Sequence, residues 1–327
     1  MRVMAPDGEG NPLLEALLED LGAREPARRW RAVEALGQRR DEATIRRLLE
    51  EIHSENSYRR IGAEEALARM GVSGVTEVLA QRLTDPQPAI RERVATVMGR
   101  LGGAGALTAL ERALDDDEPA VRGAATEALG RIDQPAALNA LLRAIEDQDP
   151  GVRWHAIQSL SHVGASRVVP TLVRSLADPH PGVRGKAVEA LGTVGGPGAL
   201  EALAQALRDD DRDVRWRAAD TLGQVGGEQS VDLLIGALRD PDPGVRWRAA
   251  DALGRVGNLR AVEDLIIALG DAEPNVRARA AAALGRMGDE QVLLALRGLL
   301  DDDAEAAMLG RVGDVAGLAV QRILDKT

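Results

Sequence analysis

The sequence predicts an all-α solenoid, a chain of helix pairs stacked one on the next, and three observations predict it. First, one arginine recurs at a fixed period. Arg29, Arg60, Arg91, Arg122, Arg153, Arg184, Arg215, Arg246 and Arg277 lie 31 residues apart without a slip. A period of this size marks a repeat architecture in which each unit is one supersecondary element. Second, the words around the arginine repeat as well, DPDPGVRWRAADALGRVG at 240–257 echoing DDDRDVRWRAADTLGQVG at 209–226. Third, apolar residues fall at helical spacing in a chain rich in Ala, Leu, Arg and Glu, with no Phe and one tyrosine, Tyr58. A length of 327 residues alone suggests about two globular domains. A solenoid grows by stacking, so one is expected to fill the chain from 11 to 327.

In chain order, residues 1–10 lack periodicity and are expected to be a disordered tail. Asn11-Pro12 has the form of an N-cap followed by proline at the first helical position. The helix after it carries Leu13, Leu14, Leu17, Leu18 and Leu21, and 11–24 is expected to be the N-terminal cap. Repeats follow over 25–300, each with two helices. In the repeat of Arg246, Asp240-Pro-Asp-Pro-Gly244 is a turn, and the first helix is expected over about Val245–Arg255. Val245, Ala249, Ala252, Leu253 and Val256 form its buried stripe, and Gly254 and Gly257 are expected to end it. The second helix is expected over Leu259–Leu269, with Ala261, Val262, Leu265, Ile266 and Leu269 inward. After residue 300 the period breaks, Met308 standing where the next arginine would be. A shortened helix pair, 301–327, is expected as the C-terminal cap.

Composition narrows the function. The absence of cysteine excludes disulfides, thiolate metal sites and thiol catalysis. The first residues, MRVMAPDGEGNP, lack the apolar run of a secretory signal, and no stretch approaches 18 apolar residues. A soluble cytoplasmic protein is expected. A net charge of −11 disfavours general binding to nucleic acid or anionic lipid.

The pattern D-x-x-x-x-V-R-x-x-A-x-x-A-L-G-x-[IV]-G over 25–300 resembles the HEAT-like repeat of the phycobilisome-lyase type. The resemblance implies a right-handed superhelix in which the V-R helices line the concave surface. It also carries over an Asp–Arg signature. Asp85, Asp116, Asp147, Asp178, Asp209, Asp240 and Asp271 each precede their arginine by six residues, while Ala23 and Ser54 depart from the pattern. A structural ladder is expected, each aspartate capping its turn and accepting from an arginine of its own or the adjacent repeat.

With the V-R helices lining a groove, the positions one, two, five and nine after each arginine are its expected exposed face. All four tryptophans, Trp30, Trp154, Trp216 and Trp247, stand one after, where other repeats hold Ile61, Glu92, Gly123, Gly185 and Ala278. A slot of such varied volume reads as exposed, and exposed tryptophans are anchors for a protein or peptide partner. The competing reading is that each ring only covers the stem of a neighbouring arginine. Arg217, Asp220, Arg248 and Asp251 share the face, and Trp154, His155, Gln158 and His162 form a polar patch with Ser159 and Ser161 nearby. His155 and His162 are two turns apart and lack the spacing of helical zinc pairs, so no metal site is expected. No nucleotide-cradling glycine loop, dinucleotide fingerprint or Ser-His-Asp order is present, so no cofactor and no catalysis are expected. The chain also has no His-Glu dipeptide, which the di-iron hydroxylases of this repeat class require. The expected function is a scaffold binding a protein or peptide. The alternatives are a lyase-like subunit handling a chromophorylated partner and a DNA-binding solenoid.

Overall fold

The computed structural model describes residues 11–52, 54–70, 72–132, 134–163, 166–196, 198–288 and 290–325. The expected tail, 1–10, lies outside them. The chain divides into two compact units, the first ending at Val163 and the second beginning at Gly164.

The first unit stacks α1 (Pro12–Leu21), α2 (Pro26–Gly37), α3 (Glu42–Glu51), α4 (Ser57–Arg69), α5 (Val72–Arg82), α6 (Pro88–Leu101), α7 (Gly103–Ala113), α8 (Pro119–Gly130), α9 (Pro135–Ala144) and α10 (Pro150–Val163). The second holds α11 (Val169–Ser175), α12 (Pro181–Val194), α13 (Ala199–Ala206), α14 (Arg212–Val225), α15 (Glu228–Ala237), α16 (Pro243–Val256), α17 (Val262–Ala268), α18 (Pro274–Met287), α19 (Leu293–Arg297), two short strands and α20 (Val312–Leu324). Each unit is an all-α solenoid of V-R helices alternating with second helices.

The starts follow from the turn sequences. Proline opens α16, where its missing N–H has no partner to lose, and Asp242 caps the helix by accepting from Gly244 N (2.7 Å) and Val245 N (3.3 Å). Where proline is absent, as in α14, Asp211 performs the same capping. Most of the expected stripes are inside: Val245, Ala249, Ala252 and Leu253 of α16 are buried with Ala261, Val262, Leu265 and Leu269 of the following segment, while Val256 and Ile266 are half-buried. Burying each such leucine or valine stabilises by about 1.5–3 kcal/mol relative to exposure.

Gly254 corrects the expectation that it ends its helix. It lies inside α16, and a Cβ there would meet Ala283 Cβ at 2.6 Å. Gly223 stands likewise against Ala252, and Gly285 against Ala319. These glycines let V-R helices approach backbone to backbone. Gly257, with φ of 73°, is the residue that ends α16. V-R helices of the second unit pack extensively on one another, whereas α13, α15 and α17 barely touch.

The C-terminal cap also differs from expectation. Eleven residues, 301–311, leave no room for a helix and its connection. They form a hairpin in which Glu305 pairs with Arg311 and Ala306 with Gly310, turned by positive φ at Met308 (66°) and Gly310 (79°). The single helix α20 then packs on α18 as the next V-R helix would.

Candidate protein interface

The period places one arginine per repeat at the start of each V-R helix, where it bonds to two consecutive turns. Arg246 donates through Nη1 to the carbonyl oxygens of Asp240 (3.0 Å) and Pro241 (3.1 Å) in its own turn. Through Nε and Nη2 it grips both carboxylate oxygens of Asp271, one turn later, at 2.7 and 2.9 Å. Arg91 with Asp116, Arg122 with Asp147, Arg184 with Asp209 and Arg215 with Asp240 repeat the bidentate pair. The side-chain partner is therefore the aspartate of the adjacent repeat, and the own-repeat aspartate offers its carbonyl. Asp85, Asp178 and the others also accept the backbone N–H two residues on, tightening the turn. Arg29 and Arg60 keep the carbonyl bond at Ala23 and Ser54, which needs no carboxylate, and so does Arg153 at Asp147.

Arg277 continues the ladder to Asp302 at 2.7 and 3.1 Å, a member missed in the sequence although it stands 31 residues after Asp271. The Arg91 fork is the main influence holding the Asp116 carboxyl below the ordinary carboxylate range. At Asp147, Asp209 and Asp271, burial pushes upward, but the arginine fork, the backbone N–H and nearby arginine charges together carry the carboxyl below that range.

The slot one after the arginine is less uniform than its varied volume suggested. Trp30 and Ile61 are exposed, 55% and 62%; Trp154, Trp216 and Trp247 are half-buried; Gly123, Gly185 and Ala278 are buried. For Trp216 and Trp247 much of the cover comes from the next repeat. The Arg248 guanidinium lies 4.0 Å from the Trp216 ring centre and 4.4 Å from that of Trp247, and Arg279 lies 5.2 Å from Trp247. The two rings meet edge to face at 6.4 Å. At Gly185 a Cβ would meet Arg217 Cδ at 2.7 Å, so that arginine occupies the space a tryptophan fills elsewhere. Arg248 Nε is buried without an acceptor, and the two ring faces offset its lost hydration. Burial lowers the Arg248 pKa, a shift that the Asp220 and Asp251 charges oppose.

The carboxylates of this face are engaged across repeats. Asp220 meets Arg255 at 2.7 Å and Arg248 at 3.3 Å, and Asp251 meets Arg286 at 3.2 Å and Arg279 at 3.4 Å. Glu189 pairs with Arg217 and, at 3.1 Å, with Lys186. Arg255, Arg279 and Arg286 stand in the two-after and nine-after slots that the sequence assigns to this face. Their separations of 28 and 35 residues from the aspartates are one period less three and plus four, the helical neighbour spacings carried onto the next helix. That arithmetic was available from the period.

In the first unit, Trp30 lies under Arg69, whose guanidinium is 4.4 Å from the ring centre. Trp154 meets His155 edge to face at 5.1 Å. The patch around them is narrower than expected, since Ser159 is buried beside Gly130, while His162 Nδ1 is 2.8 Å from the Gln158 carbonyl oxygen. Among the described residues no three His, Asp or Glu side chains gather to hold a metal ion. No described helix is long and apolar enough to cross a membrane.

Comparison with known proteins places this geometry. A family model described as HEAT repeats matches 45–130, 76–161, 112–181, 139–220, 175–241, 201–272 and 234–312. No curated protein matches the chain. Among solved structures, Kap95p bound to RanGDP superposes with a TM-score of 0.67 at 14% identity, over 95% of this chain and 48% of Kap95p. The CpcE–CpcF phycocyanin lyase of Nostoc sp. PCC7120 gives 0.41 at 22%, over 77% of this chain and 96% of that one. Human deoxyhypusine hydroxylase gives 0.35 at 26%, over 76% and 96%.

Proposed function

Because the chain belongs to the HEAT-repeat family, a scaffold architecture, we propose that it is a non-catalytic adaptor holding a protein partner on the V-R face of its second unit. The observation that carries this reading is that Trp216 and Trp247 occupy a slot where the fold elsewhere accepts glycine or alanine, as at Gly123, Gly185 and Ala278. The stack does not need the rings. They nevertheless sit half-exposed, stacked with Arg248 and Arg279, beside Asp220 and Asp251 that fix those arginines. Tryptophan and arginine held rigid before contact are the side chains that dominate binding hot spots, because little rotamer freedom remains to be lost.

The test is the Trp216→Ala, Trp247→Ala double variant of the whole chain. Its helical circular dichroism should match the parent, and its melting temperature should stay within a few degrees. Immobilised parent should retain a defined protein from the source cells that the variant does not. Unfolding of the variant, or unchanged capture, would sink the assignment.

A further inference from the structure

We propose that the V-R face of the second unit takes an extended acidic segment whose carboxylates recur at every third residue, a reading that rests on the scaffold function above. Charge is the first ground. Lys186, Arg217, Arg248, Arg255, Arg279 and Arg286 converge on three carboxylates, those of Glu189, Asp220 and Asp251. These cations outnumber the carboxylates they share, on a chain whose net charge is −11. Each carboxylate is shared, so it orients the guanidinium groups without neutralising them. Arg217 and Arg255 remain more than a third exposed and keep donors toward solvent.

Spacing is the second ground. V-R helices in glycine–alanine contact repeat at about 8–10 Å. A polyproline-type segment rises about 3.1 Å per residue with three residues per turn, so a segment crossing the helices presents one residue of every three to each repeat. Polyproline-type chains dock on aromatic-lined surfaces, and the Trp216–Trp247 pair supplies one between successive cation clusters. A nucleic-acid strand fits less well, because its phosphates follow at a shorter step and the −11 chain repels it at long range.

The experiment is fluorescence anisotropy with the full chain and a labelled twelve-residue peptide repeating Glu-Pro-Pro. It should bind at least about tenfold more tightly than the Gln-Pro-Pro peptide, and than a peptide of the same residues with its glutamates in one block. Arg255→Gln with Arg286→Gln should weaken it by about tenfold or more while retaining the parent melting temperature. If that pair unfolds, Lys186→Gln with Arg217→Gln serves the same purpose. Equal binding of the glutamine or blocked peptide, or of either charge variant, overturns the proposal. Tighter binding of an oligothymidylate of equal charge overturns it in favour of nucleic acid. If no peptide binds while the double-tryptophan variant still loses its captured protein, the acidic-segment inference fails and the scaffold reading stands.

Discussion

Arg246 touches three acceptors in two turns, and the three respond differently to substitution. Its bonds to the Asp240 and Pro241 carbonyls survive any side-chain change at those positions, whereas the bond to Asp271 depends on the carboxylate. Asp271→Asn should lower stability by about 1.5–3 kcal/mol, the range for a hydrogen bond to a charged group, as read by urea denaturation. The same pairs set an acid limit. Asp116, Asp147, Asp209, Asp271 and Asp302 all ionise below the ordinary carboxylate range in the folded chain. A carboxyl depressed by folding stabilises above its unfolded value, about 3.9, and that stability is lost as pH falls through the lower folded value. The melting temperature should hold from neutral pH to about 5 and decline below about 4. Asp271→Asn should lower the plateau and make the decline shallower. The register of this ladder was legible in the sequence, since only the period is needed. Which repeat's carboxylate each arginine takes was not, because position along the chain does not say how far a side chain reaches over its neighbour.

At the scale of the helix, two glycines with the same letter have opposite roles. Gly254 faces Ala283 so closely that an added methyl has no space, with Arg286 Nη2 at 2.5 Å as well. Overpacking costs about 1–3 kcal/mol, more than the roughly 1 kcal/mol by which alanine favours a helix. Gly254→Ala should therefore destabilise. Gly236 of α15 is exposed with nothing within 4 Å, so Gly236→Ala should stabilise by about 0.5–1 kcal/mol. Differential scanning calorimetry of both variants reads the contrast. A sequence rule that assigns glycine to helix ends cannot separate these cases, since the difference lies in the neighbouring helix. The tryptophan slot eluded the sequence for a related reason. Varied volume implies exposure only when the covering group is rigid, and here the cover is a flexible arginine that fills whatever Gly185 leaves or stacks on whatever Trp216 presents.

At the scale of the whole molecule, charge and fold separate. The 31-residue period and apolar stripes were sufficient for the repeated helix pairs, and the V-R residues that vary within that frame were sufficient to point to a face. The basic excess of that face was legible slot by slot, although the −11 total, which sums every surface of the chain, has the opposite sign. The stack has a further consequence for chain surgery. From α14 to α18 the bidentate clamps join one repeat to its successor at an offset of 25 residues and the glycine seats of Gly223 and Gly254 at 29, so a cut there is judged by its length more than its position. Excising Asp240–Gly270, 31 residues, would bring Arg215 to Asp271, Gly223 to Ala283 and Asp220 to Arg279 and Arg286. That shortened chain should fold with its per-residue ellipticity intact. Removing one residue fewer would put the offsets at that junction out of register and should lower the melting temperature read by circular dichroism.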